Sequence, residues 1–146
     1  MPRIRVFLDS SALIAGVLSS TGAARVLLVM SENRQIEGII SEQVVVESER
    51  SIAIRSPRAL PGFRQTIKDA NLTIVQDPNK NATNDNFYLI SDPNDVAILL
   101  AAMRASVDYL ATHDRKHFLD DPKVAENSGL RIGTPGDALT WLRENL

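Results

Sequence analysis

The stretch Val6-Phe7-Leu8-Asp9-Ser10-Ser11 constrains this chain more than any other. An apolar trio stops abruptly on an acid and two small hydroxyl residues. A short apolar run that ends on a turn signal reads as a buried strand of a parallel sheet. Ser11-Ala12-Leu13-Ile14-Ala15 then opens a helical pattern. In an open parallel sheet, ligands collect beyond the carboxyl ends of the strands. Asp9 would stand at that rim, so the next question is whether other carboxylates can reach it.

The rest of the chain alternates strand and helix signals. The first strand is expected over Arg3–Leu8, followed by helices over Ser11–Leu18 and Gly22–Ser31. Glu37–Ile40 reads as a second strand. Ser41 is a good N-cap for a helix over Glu42–Arg55, which Pro57 must end. A helix over Leu60–Ala70 and a strand over Leu72–Val75 follow. Gln76–Asn86 is polar and without period, hence an exposed loop. Phe87–Ile90 reads as an edge strand or a packed turn. Asp92-Pro93-Asn94-Asp95 is a helix start, with a cap, a proline at the first helical position and an acid at the third. The helix that follows, to about Ser106, is apolar nearly all round and so should be buried. Tyr109–Thr112 is a fourth strand, with a short helix near Arg115–Leu119 after it, and Leu130–Gly133 a fifth. Thr134-Pro135-Gly136-Asp137 repeats the start signal for a last helix to Asn145. Such alternation predicts an α/β fold, a three-layer α/β/α sandwich around a parallel sheet of four to five strands, with residues 1–146 as one domain.

Composition narrows the chemistry. There is no cysteine, which excludes disulfides, zinc thiolates and thiol nucleophiles. The only histidines, His113 and His117, are too few for a histidine-rich metal site. A net charge of −2 does not announce a polyanionic partner, yet a local basic patch can still bind phosphate. No apolar run approaches membrane-spanning length, and Met1-Pro2-Arg3-Ile4-Arg5 opens no signal-peptide pattern. A soluble cytoplasmic protein with no membrane contact is expected.

Strand ends bring Asp9 and Asp114 to one rim, where the helix start carrying Asp95 also falls. Glu47, early in the helix after the second strand, could point to the same cleft. A carboxylate cluster favours a hard divalent cation, Mg²⁺ or Mn²⁺. Such an ion activates water and stabilises charge on a phosphoryl oxygen. Ser10 and Thr112 could orient the acids. Each acid also has a plainer reading. Asp9 could be a turn former or cap, Asp95 part of a capping box, and Asp114 a cap for the next helix. Glu47 could pair with Arg50 or accept from Ser51, and Glu42 and Glu49 compete with it on the same helix. Asp92 is most simply the N-cap, although it could also be an acid that supports the metal-holding ones from behind. The joint pattern favours a site, because several acids at one rim repel without a cation.

In order, Leu8-Asp9-Ser10-Ser11-Ala12-Leu13, Ser41 to Glu47, Asp92-Pro93-Asn94-Asp95 with the apolar run to Ala102, and Asp108 to Asp114 resemble the PIN-domain nucleases. The resemblance is to short stand-alone PIN proteins of the VapC toxin type and spans nearly the whole chain. It implies a PIN-like sandwich and Mg²⁺- or Mn²⁺-dependent endoribonuclease activity, as the toxin of a toxin–antitoxin pair. It assigns Asp9, Glu47, Asp95 and Asp114 as catalytic, metal-holding acids, with Ser10 and Thr112 in support. It also implies a homodimer and a cognate antitoxin. Where the family often has a small residue before the fourth acid, this chain has His113.

RNA would approach past Arg50, Arg55, Arg58, Arg64 and Lys68, although charge runs of this kind also form plain solvated helix faces. His113 and His117 could touch phosphate or serve as a general acid, or be structural. Phe87 and Tyr88 could stack on a base, but packing against the sheet or a partner subunit is favoured. One alternative keeps the fold without chemistry, as a PIN-like RNA- or protein-binding scaffold. A haloacid dehalogenase-type phosphatase would need a second Asp two residues after Asp9, where the chain has Ser11. A receiver domain would need an acidic pair in the first loop, and the first strand supplies Asp9 alone.

Overall fold

Val6, Phe7 and Leu8 point alternately to opposite faces of their strand, and all three are at most 1% exposed. Both faces of the sheet are therefore covered, as a parallel sheet requires. The structure, a computed structural model, describes residues 2–146. Met1 lies outside the described residues.

The elements run β1 (Arg5–Leu8), α1 (Ser10–Leu18), α2 (Ala23–Glu32), β2 (Glu37–Ser41), α3 (Glu42–Arg55), α4 (Leu60–Asp69), β3 (Thr73–Val75), α5 (Lys80–Asn84), α6 (Pro93–Arg104), β4 (Tyr109–Ala111), α7 (Pro122–Ser128), β5 (Ile132–Gly133) and α8 (Pro135–Asn145). The sheet has five strands in the order β3-β2-β1-β4-β5, and every pairing is parallel. Helices flank it, giving the expected α/β/α sandwich. The short strands β3 and β5 form its edges, where a short strand limits unwanted pairing.

This order places a switch point between β1 and β4. From β1 the chain builds outward through β2 and β3, then returns to the other side of β1 for β4 and β5. The carboxyl edge at such a switch point is the usual ligand position in open parallel sheets. Backbone bonds carry the ladder past the strand ends. Asp9 N–H donates to Ala111 O (3.2 Å) and Thr112 N–H to Gly133 O (2.9 Å). The bases of the loops after β1 and β4 are thereby pinned.

Helix α6 brings its N-terminus to the same rim. Its buried residues Val96, Ile98, Leu99, Leu100, Ala101 and Ala102 leave almost no solvent face, as the sequence predicts. A short connection joins its C-terminal end to the start of β4, so its N-terminal end lies near the carboxyl edge. Helix α3 starts there directly: Ser41 ends β2 and caps α3, its hydroxyl accepting from Val44 N–H at 3.3 Å. Glu47 follows in the second turn.

The connections between the main elements differ in part from the sequence expectations. The stretch 76–86 contains the short helix α5, capped by Asn79, whose side chain accepts from Ala82 N–H at 2.8 Å. Of the two readings of Phe87–Ile90, the packed turn is the one found: Phe87–Leu89 is a 3₁₀ turn. It is held by burying Leu89 and the following Ile90, while Phe87 and Tyr88 remain 49% and 68% exposed and do not pack on the sheet. Helix α7 was not anticipated. Among the described residues no single helix is long and apolar enough to cross a membrane; α1 and α2 together have the length and composition, but they meet at a 90° bend and bury Leu13, Leu27 and Leu28 in the core.

Candidate metal centre

Asp9 is the innermost acid, 4% exposed. It caps α1, its Oδ1 accepting from Ala12 N–H at 2.9 Å and from the Ser11 hydroxyl at 2.7 Å. Its Oδ2 accepts from the Thr112 hydroxyl at 2.5 Å. Two donors saturate Oδ1, so Oδ2 is the oxygen with a lone pair to spare. The cap reading of Asp9 is therefore true, and it leaves one oxygen available.

Thr112 ties the two loops together. Its Oγ1 donates to Asp9 and accepts from Asp114 N–H at 3.0 Å. Ser11 adds a second tie, accepting from His113 N–H at 2.9 Å. Ser10, at the start of α1, makes no side-chain hydrogen bond among the described residues; the hydroxyl beside Asp9 belongs to Ser11. His113 contributes its backbone amide here.

The two similar helix starts behave differently. Thr134 and Asp137 form a reciprocal capping box: Asp137 N–H donates to Thr134 Oγ1 (3.1 Å) and Thr134 N–H to Asp137 Oδ2 (3.0 Å). At α6 the cap is Asp92, whose Oδ1 accepts from Asn94 N–H at 2.9 Å. Asp95 closes no box. Its carboxylate accepts no hydrogen bond among the described residues, although its side chain is only 16% exposed. It faces His117, with Oδ2 3.8 Å from Nδ1.

Asp114 caps the single π-type turn Arg115–Leu119 and grips His117 twice. Its Oδ1 accepts from His117 N–H and its Oδ2 contacts Nδ1, both at 3.0 Å. His117 Nε2 lies 3.7 Å from Asp92 Oδ2. Asp92, Asp95 and His117 thus offer donor atoms that all lie within 4.8 Å of one another. The sequence points to His117 as a phosphate contact, a general acid or a structural residue, and to Asp92 as a cap or a supporting acid, but not to the two as neighbours in one cluster. The readable signal was spacing: Asp92 and Asp95, like Asp114 and His117, stand one helical turn apart.

Glu47 is held at the edge of this group. Gln43 Nε2 donates to Glu47 Oε1 (3.1 Å) and to Asn94 O (2.9 Å), tying α3 to the start of α6. The competing acids on α3 are occupied elsewhere. Glu42 accepts from Asp77 N–H at 3.0 Å, and Glu49 pairs with Arg64 at 2.9 Å. Arg50 and Arg55 line a groove on α3 with Glu47, Ser51 and Ile54.

Burial, with charge repulsion added to it, shows in the proton affinities. Burial, then Asp92 and Asp114, push the Asp95 carboxyl up to about 7, partly relieved by His117. Burial also raises Asp9, against the hydrogen bonds from Thr112, Ser11 and Ala12, with the Asp114 charge adding to the rise. Glu47 is raised by burial and by the charges of Asp9 and Asp92, while Gln43 and Arg50 oppose. His117 is raised chiefly by its bond to Asp114. Asp9, Glu47, Asp92, Asp95 and Asp114 therefore form one electrostatically coupled set. An added divalent cation would reverse its self-repulsion. Carboxylates with one imidazole and no thiolate form a donor set that fits such an ion.

Comparison with known proteins agrees with this architecture. Residues 5–116 match the PIN domain. No curated protein matches the chain. Among solved structures, VapBC2 of Rickettsia felis, bound to a promoter DNA fragment, is similar at TM-score 0.65 and 13% identity, covering 90% of this chain and 98% of that one. A Pyrobaculum aerophilum protein aligns at TM-score 0.67 and 14% identity, over 97% of this chain and 91% of its own. The Mycobacterium tuberculosis toxin VapC20, described as cleaving the sarcin–ricin loop, aligns at TM-score 0.59 and 11% identity, over 76% and 91%. At these identities the structures speak for the fold, and the sequence match supplies the family. The chain belongs to the PIN domain family, with structural resemblance to VapC toxins.

Proposed function

We propose that this protein is a metal-dependent endoribonuclease that hydrolyses RNA phosphodiester bonds. The observation that carries the reading is geometric: at the β1/β4 switch point Asp92, Asp95 and His117 offer donor atoms within 4.8 Å of one another, and the Asp95 carboxylate accepts no hydrogen bond among the described residues. Asp9, Glu47, Asp95 and Asp114 are the proposed catalytic acids, and Mg²⁺ or Mn²⁺ the proposed cation. When bound, the ion would supply a Lewis acid and an activated water.

The protein's own part is orientation. Thr112 and Ser11 fix the orientation of the Asp9 carboxylate, one hydroxyl on each oxygen. Gln43 keeps Glu47 beside the start of α6. Asp95 presents a carboxylate that no internal donor has claimed. Arg50 and Arg55, in the groove beside Glu47, would take RNA phosphates by bidentate contacts.

The toxin reading is supported by the likeness to a VapBC complex and to a sarcin–ricin-loop cleaving toxin. It adds a cognate antitoxin, a homodimer and a cytoplasmic setting to the proposal. We also take residues 1–146 as one domain, because β5, beyond the matched 5–116, pairs with β4 of the same sheet.

The test is cleavage of a panel of structured and single-stranded RNAs with Mn²⁺, Mg²⁺ or EDTA, comparing wild type with Asp95→Asn. Metal-dependent cutting that the variant loses supports the nuclease. Absence of cutting together with absence of Mn²⁺ binding would leave the PIN-like scaffold.

A further inference from the structure

The imidazole of His117 is placed among carboxylates in a way that packing does not require. The residue anchoring its turn is the neighbouring Phe118, 3% exposed in the core. Burying Phe118 leaves the adjacent side chain at the rim. A single π-type turn carries both, a feature that recurs at functional sites.

Asp114 fixes the ring. With Nδ1–H donating to Asp114 Oδ2, the Nε2 lone pair is left unused. Nε2 faces Asp92 Oδ2 at 3.7 Å. The cap of α6 uses only Asp92 Oδ1, and no donor among the described residues bonds Oδ2. Two unclaimed Lewis bases thus face each other, with the unclaimed carboxylate of Asp95 beside them. Metal-binding histidines are characteristically held this way, by a carboxylate on the opposite ring nitrogen.

We propose that His117, through Nε2, is a nitrogen ligand of the site's divalent cation, with Asp92 Oδ2 and Asp95 as companion ligands and Asp114 as the positioning carboxylate. The inference rests on the metal-dependent reading above and deepens it. It replaces an all-oxygen site by one containing an imidazole, and it moves Asp114 to a role exerted through His117. Nitrogen donors favour transition-metal dications, whereas Mg²⁺ favours oxygen and water. The protein is therefore selective for Mn²⁺ over Mg²⁺, and His117 is the source of that selectivity.

The experiment titrates Mn²⁺ and Mg²⁺ calorimetrically into the full chain as wild type, His117→Ala, Asp114→Asn and Asp95→Asn, with circular dichroism confirming the fold of each. Pulsed electron paramagnetic resonance of the Mn²⁺-loaded proteins reads nitrogen hyperfine coupling. Wild type should show the coupling and His117→Ala should lose it. Mn²⁺ affinity should fall about tenfold or more in both His117→Ala and Asp114→Asn, with a much smaller change for Mg²⁺. Absence of nitrogen coupling in wild type, or Mn²⁺ binding to His117→Ala that is unchanged or tighter, overturns the inference. If Asp95→Asn alone loses Mn²⁺, the nuclease reading survives and the nitrogen ligand does not. If wild type binds no Mn²⁺, both fall.

Discussion

Replacing Asp95 with Asn should make the metal-free protein more stable, and the gain should grow with pH. Burial and the charges of Asp92 and Asp114 raise the Asp95 carboxyl from 3.8 to about 7. The folded protein therefore binds this proton more tightly than the unfolded chain does. Below the ordinary carboxylate range both states are protonated and the group costs nothing. As pH rises towards 7 the unfolded chain releases its proton first, stability falls, and the full cost applies above it. A rise from 3.8 to about 7 corresponds to roughly 4 kcal/mol at most. Residual solvent contact screens the site and reduces this to about 2 kcal/mol. Loss of one carboxylate beside His117 works in the opposite direction, but Asp114 and Asp92 remain. For a chain of this length the expected rise in Tm is about 4–8 °C at about pH 8, shrinking towards zero near pH 4. The assay is thermal unfolding of both proteins in EDTA across that range. Excess Mn²⁺ should then raise the Tm of wild type and leave the variant unmoved. An Asn variant no more stable than wild type at alkaline pH, or one with the same difference at every pH, would refute the argument that burial and the neighbouring acids raise the Asp95 carboxyl in the metal-free protein.

Other perturbations separate the site from its scaffold. Thr112→Val removes the hydroxyl shared by Asp9 and Asp114 and should cost about 1–3 kcal/mol in urea unfolding, with cleavage falling further than that loss explains. Asp137→Ala opens the capping box of α8 and should cost about 1 kcal/mol while RNA cleavage stays at the wild-type rate; a matching loss of cleavage would contradict the contrast drawn between Asp137 and Asp95. Arg50→Ala combined with Arg55→Ala should weaken RNA binding and flatten its dependence on log salt concentration by roughly two. A wild-type slope would remove both residues from the phosphate path.

Local signals carried much of the architecture. Helix α3 occupies Glu42–Arg55 as predicted, because Ser41 caps one end and Pro57 stops the other. Asp9, Asp95 and Asp114 were legible as rim residues because strand ends and helix starts are written in short-range chemistry. Helix α7 carries the same punctuation, with Asp121 as cap, Pro122 at the first position and Gly129 beyond the end at φ 71°. It was missed because Val124 alone is buried, too little for an apolar period. The strand order was not legible, since parallel register depends on contacts distant in sequence. The role of His117 was hidden for the same reason. Its pairing with Asp114 is local, but its meeting with Asp92 and Asp95 depends on α6 and the loop after β4 reaching the same rim of the sheet. Asp95 and Asp137 stand in closely similar sequence settings, and only the packing around them separates a capping acid from a free one.

Whether the acids at the β1/β4 switch point hold a divalent cation can be seen in crystals soaked in Mn²⁺, with anomalous diffraction recorded at the manganese edge. A bound ion gives an anomalous peak between Asp9, Asp95 and the Asp114–His117 pair, absent from crystals of Asp95→Asn. No peak there at saturating Mn²⁺, or an equal peak in the variant, would contradict a cation held by these acids.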